Sequence, residues 1–100
     1  IDRGMYAYER GDYTLAFMEF RAFAENGNNV VQAYLAQMYF EGKGIPQDYV
    51  YAHMWANISS AQGFEKAGAL RDAIANKMTQ GQLAEAQKLA REWKPKKPEQ

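Results

Sequence analysis

Two stretches of this sequence carry one pattern. Asp12-Tyr13-x-x-Ala16 returns as Asp48-Tyr49-x-x-Ala52, and Gly27 returns as Gly63, all at one offset of 36 residues (12 to 48, 27 to 63). A period in the thirties, carried on helical spacing, marks a stack of helical hairpins. One such hairpin cannot hide its apolar face alone, so neighbours share a core. The residue types fit that duty. Ala16 and Ala52 let helices approach closely, while Phe20 and Trp55 fill the space between hairpins. Each buried aromatic contributes roughly 1.5–3 kcal/mol.

The spacing predicts six helices, over residues 3–10, 12–25, 29–41, 48–61, 65–78 and 80–93. The second aligns Tyr13, Ala16, Phe17, Phe20 and Phe23; the third Val31, Leu35, Met38 and Tyr39; the fourth Tyr51, Ala52, Trp55 and Ile58. Ala67, Leu70 and Ile74 align on the fifth, and Leu83, Ala86, Ala90 and Trp93 on the sixth. These are apolar stripes at the 3.6-residue period. Asp12 and Asp48 suit helix N-caps, Thr79 with Gln82 has capping-box spacing, and Gly27 and Gly63 suit helix ends. No segment alternates with a period of two, so no sheet is expected. The expected fold is all-α, a right-handed superhelix of stacked antiparallel hairpins. It forms one domain over 1–94, divided into a truncated repeat (1–27), a full repeat (28–63) and a C-terminal hairpin with cap (64–94). Residues 95–100, with Lys96, Lys97, Pro95 and Pro98, are expected to be a flexible tail.

Composition narrows the function. Twelve basic and twelve acidic side chains cancel, which argues against a nucleic-acid partner, since such proteins carry a basic face. With no cysteine in the chain, disulfides, thiolate chemistry and cysteine-based zinc sites are excluded. No apolar run approaches the roughly 20 residues of a membrane helix. No cofactor is expected either. Gly42-Lys43-Gly44 is too short for a phosphate loop, and no metal-binding histidine pair occurs. His53 is the only histidine. Paired with Ser60, seven positions on, it would have to reach about 10 Å along the helix axis. A structural role for it is therefore expected, with a His53 hydrolase as a remote alternative.

The run Leu35-Ala36-x-x-Tyr39-x-x-Gly42-x-Gly44-Ile45-Pro46-Gln47-Asp48-Tyr49-x-x-Ala52-x-x-Trp55, closing on Ala61-Gln62-Gly63, resembles a Sel-one-like repeat, a relative of the tetratricopeptide repeats. Residues 11–27 resemble the second helix of a preceding repeat, and 78–93 resemble the closing helix of short bacterial members. The chain departs from the pattern at Val31, where the family prefers alanine, and its register decays beyond Gly63. The resemblance implies a bacterial protein, periplasmic or exported, whose leader or upstream segment is absent from this chain.

The resemblance also implies that the first helix of each hairpin faces a concave surface. This puts Val30, Ala33, Gln37, Phe40 and Glu41 of the third helix outward, together with Met5, Tyr8 and Glu9 of the first. An apolar patch with a polar rim marks a binding surface. The competing reading buries Phe40 under the 42–48 loop or a neighbouring hairpin. The expected function is an interaction module that takes a peptide or protein partner on this surface, without catalysis. The alternative is a self-assembling unit, a homo-oligomer formed through the open end of the first hairpin.

Overall fold

A computed structural model of the chain describes residues 1–96. Its six helices are α1 (Asp2–Glu9), α2 (Tyr13–Glu25), α3 (Asn29–Glu41), α4 (Tyr49–Ala61), α5 (Glu65–Ala75) and α6 (Gln80–Glu92), and no strand occurs among the described residues. The fold is all-α, an arrangement of helical hairpins. None of the helices is long and apolar enough to cross a membrane.

Local chemistry sets the boundaries. Asp12 and Asp48 cap α2 and α4, their carboxylates accepting from the Leu15 and Tyr51 N–H groups at 3.3 and 3.0 Å. Asn28 caps α3 in the same way through the Val31 N–H. Thr79 and Gln82 form the reciprocal capping box of α6. Each cap satisfies a donor that the helix itself leaves unpaired. The helices α2 and α4 have the same length, 13 residues, and each is followed two positions on by a glycine of positive φ, 106° at Gly27 and 102° at Gly63.

Three expectations about the helices differ from the structure, the first at Tyr51, which the spacing puts on the apolar stripe of α4 but which sits at its edge and is 43% exposed. The fifth helix stops at Ala75 rather than at 78, because Thr79 must be extended to cap α6 and residues 76–78 are consumed by the turn that precedes it. On α2 the buried stripe runs Ala16, Phe17, Phe20, Ala24, so Phe23 falls beside it and is left exposed. Helical spacing continues from Phe20 to Ala24, four residues on, and small Ala24 lies on the core face.

Helix α4 is the hub. Helices α3, α5 and α6 all pack on it, while α2 joins α1 to α3. Phe20, Leu35, Met38 and Ile74 are fully buried. The radius of gyration is 12.8 Å, close to the roughly 13 Å of a globular domain of 100 residues, so the hairpins are closely packed rather than strung out. Beyond α6 the chain doubles back. Trp93 meets Trp55 edge-on at 6.0 Å, Pro95 lies near Gly27, and the Lys96 N–H donates to the Glu25 carbonyl at 2.8 Å. Lys96 Nζ also pairs with the Glu25 carboxylate at 3.1 Å. Residues 95 and 96 are thus held against the end of α2, and the remainder of the expected tail, 97–100, lies outside the described residues.

Candidate functional site

A polar anchor fixes how α3 is turned. Gln32 is fully buried, which would be costly for an unpaired amide. Its Nε2 donates to the Ala24 carbonyl at 2.9 Å and its Oε1 accepts from Gln62 Nε2 at 2.8 Å. Nearby, Ser59 Oγ donates to the Asn29 carbonyl at 2.6 Å and Asn29 Nδ2 donates to the Gln62 carbonyl at 2.9 Å. These bonds tie the start of α3 to the ends of α2 and α4. With Gln32 held inward, helical geometry directs positions 30, 33, 34 and 37 to the opposite side.

That side faces α5, and the two helices barely touch. The gap is a groove of about 370 Å³ lined by Tyr8 of α1, by Val30, Ala33, Tyr34 and Gln37 of α3, and by Phe64, Lys66, Ala67 and Leu70 at the start of α5. Its volume is within the range of small-ligand and peptide clefts. Tyr8 meets the edges of Tyr13 and Tyr34 at 5.2 and 5.3 Å, and Phe20 lies beneath, 5.5 Å from Tyr34. Offset and edge-on aromatic contacts of this kind hold the rings in place. Burial raises the Tyr8 pKa against the opposing pull of Lys43, so its phenol stays protonated and can donate a hydrogen bond. Beyond the groove, Gln37 Nε2 donates to Glu41 at 2.7 Å and Glu41 pairs with Lys43 at 3.3 Å. Lys43 also sits 5.0 Å over the Tyr13 ring.

Of the residues expected on a concave face, Tyr8, Val30, Ala33 and Gln37 are brought together in this groove. Met5 lines a neighbouring hollow with Ile1, Asn28, Val30 and Tyr34. Phe40 instead packs on Tyr49, ring centroids 5.7 Å apart, while Gln47 Nε2 donates to its carbonyl. Glu9 is exposed and Glu41 takes part in the ion pair described above. Tyr34, Phe64, Lys66, Ala67 and Leu70 complete the lining and were not among the expected residues.

His53 lies on α4 and is only 3% exposed, and its Nδ1 has no hydrogen-bond partner among the described residues. No hydrogen bond joins it to Ser60 or Asp48 among the described residues. Burial lowers its pKa, Arg71 lowers it further, and Asp72 opposes them. The unfolded chain therefore takes up a proton more readily than the folded one. The contribution of neutral His53 to stability is complete above the ordinary imidazole value of about 6.5 and is lost as the pH falls through the lowered folded value. We expect the urea midpoint to fall on acidification through this range, and His53→Leu to make that fall shallower. Removing the unmatched nitrogen should also leave the variant at least as stable near neutrality, by on the order of 1 kcal/mol. Identical slopes in the two proteins would exclude the histidine as the source.

Among the described residues no cluster of histidine or carboxylate side chains is placed to hold a metal ion. No protein-family model matches the chain, and neither a curated protein nor a solved structure does.

Proposed function

We propose that the chain is an interaction module that binds an extended segment of a partner protein in the groove between α3 and α5. The observation that supports this reading is an open groove with an aromatic floor and few polar groups. Tyr8, Tyr34, Ala33 and Leu70 offer apolar surface, while Lys66 supplies a cation on the α5 side. A segment that suits these walls carries an apolar side chain for the floor and a carboxylate within reach of Lys66. Exposed apolar patches with a polar surround serve such recognition. The reading also takes the α1–α2 and α3–α4 hairpins as copies of one repeat of the Sel-one-like kind. The matched Asp caps, glycines and helix lengths of α2 and α4 support that reading.

The test is selection from a displayed peptide library. The native chain should enrich a consensus of an apolar residue near an acidic one. Ala33→Arg, which fills the groove from a half-buried position, should abolish enrichment while leaving the helical spectrum intact. Lys66→Glu should reverse the charge preference at one position of the consensus. Enrichment unchanged in both variants would place binding elsewhere. The hydrolase alternative finds no support at His53, which has neither a nucleophile nor an orienting carboxylate hydrogen-bonded to it among the described residues.

A further inference from the structure

Of the two helices that flank the groove, α5 is the less firmly held. Helix α3 is capped by Asn28 and buries Val31, Gln32, Leu35, Ala36 and Met38. Helix α5 has no side-chain cap, and only Ala67 and Ile74 of its 11 residues are buried. Its uncapped donors are left to water, and Gly68 weakens its interior. What fixes it is α4, since it barely meets α3. Loss of the hold at Ile74 would leave Ala67 as its one buried anchor.

The interface with α4 contains a group that acid can charge. The two helices run antiparallel. Arg71 Nη1 donates to Asn57 Oδ1 at 3.2 Å, and Gly68, three residues earlier, lies beside Ser60, three residues later. The same register, carried one turn on, sets buried His53 opposite the Ile74–Ala75 end of α5. Its Nδ1 lacks a partner among the described residues, and the charged groups that act on it, Arg71 and Asp72, both belong to α5. Arg71 Nε already engages the Asp72 carboxylate at 3.1 Å. The other elements around α4 offer an imidazolium nothing. Glu41 of α3 is paired with Lys43, and Lys77 of the turn and Glu85, Lys88, Arg91 and Glu92 of α6 are exposed.

A proton on His53 therefore sets a second cation near Arg71, in a buried place where the new N–H finds no acceptor. Moving α5 away returns the imidazole to solvent and removes both costs. Helix α6 keeps its own packing on α4, so α5 can open by itself. We propose that protonation of His53 releases α5 from α4 and withdraws Ala67 and Leu70 from the groove, which makes the groove an acid-released binding site. The consequence for binding rests on the reading of the groove given above; the release of α5 does not.

Amide hydrogen exchange reads the release without a partner. Corrected for the intrinsic rate at each pH, the α5 amides should be less protected than those of α2 and α3 throughout, as for a segment that opens alone. From about pH 7.5 to about pH 5 their protection should fall, by at most about tenfold per pH unit below the ordinary imidazole value of about 6.5. The fall should disappear in His53→Leu, and in His53→Gln, which keeps a polar side chain and takes up no proton. Protection equal to that of α2 and α3, protection indifferent to pH, or the same fall in both variants would each overturn the proposal. A peptide selected on the groove at neutral pH should bind the native chain more weakly at about pH 5, in step with α5 exchange, and should bind His53→Leu alike at both; its own carboxylate, with an ordinary value near about 4, stays ionised. Acid-sensitive exchange with no peptide selected would sink the groove reading and leave the release of α5 standing. A peptide that Ala33→Arg abolishes, but whose affinity ignores pH, would overturn the coupling.

Discussion

Gly44→Ala is expected to destabilise the domain by about 3–5 kcal/mol, one of the largest effects a single methyl group can have here, against a total stability of about 5–15 kcal/mol for a domain. Two costs combine. Gly44 has φ +79°, where an L-residue pays roughly 1–2 kcal/mol. The added Cβ would also meet the Tyr13 carbonyl carbon and oxygen, which are backbone atoms in the first turn of α2 and cannot swing aside. The 42–48 loop would have to lift off α2. Gly11 provides the control. Its φ is +83° and nothing lies within 4 Å of its Cβ position, so Gly11→Ala should show the backbone term alone. Urea titration at unchanged slope measures both. Equal losses at the two sites would show that the close approach of Gly44 to α2 does not matter.

The second large effect is expected at Gly4, and its sign should depend on Phe20. A Cβ at Gly4 would lie 2.5 and 2.6 Å from two atoms of the Phe20 ring. That ring is fully buried and wedged against Tyr8 and Tyr34, at 6.3 and 5.5 Å. Alanine is a better helix former than glycine by about 0.8–1 kcal/mol, but overpacking a filled core costs about 1–3 kcal/mol or more. We expect overpacking to win, with a net loss near 2 kcal/mol. Phe20→Leu should itself be destabilising, by about 1–2 kcal/mol through lost packing. In that background Gly4→Ala should become neutral or favourable, since the space is free and the helix term remains. Thermal unfolding of the four proteins completes the double-mutant cycle. Additive losses would mean that the two side chains do not compete for one space. Tyr8 and Tyr34 stand over Phe20, so Gly4→Ala should also disturb the groove.

The helices were legible because their signals are local. Asp12, Asp48 and Thr79 each need only the next three residues to cap a helix, and the apolar stripes need only the 3.6-residue period. Val30, Ala33 and Gln37 could be placed on one face for the same reason. Tyr34 belongs to that face by spacing and could have been included. Phe64, Lys66 and Leu70 were harder to place, because the repeat loses register after Gly63 and the position of α5 depends on how it packs on α4. Phe40 shows the reverse difficulty. Spacing puts it near the outer face, yet the partner that covers it, Tyr49, lies beyond a loop whose path no periodicity specifies. Gln32 carried no signal at all. A glutamine on a helix is ordinarily solvated, and only the meeting of three helix ends supplies its partners.

The doubling-back of residues 93–96 gives the chain a property that its hairpins alone would lack. In a row of units that touch only their neighbours, the last unit can come loose while the first stays folded. Here Glu25 and Lys96 clasp positions 71 apart in sequence (25 to 96), so α6 cannot detach without releasing the hold on α2. Opening at one end is thereby reported at the other, and melting should proceed as a single event instead of a fraying wave.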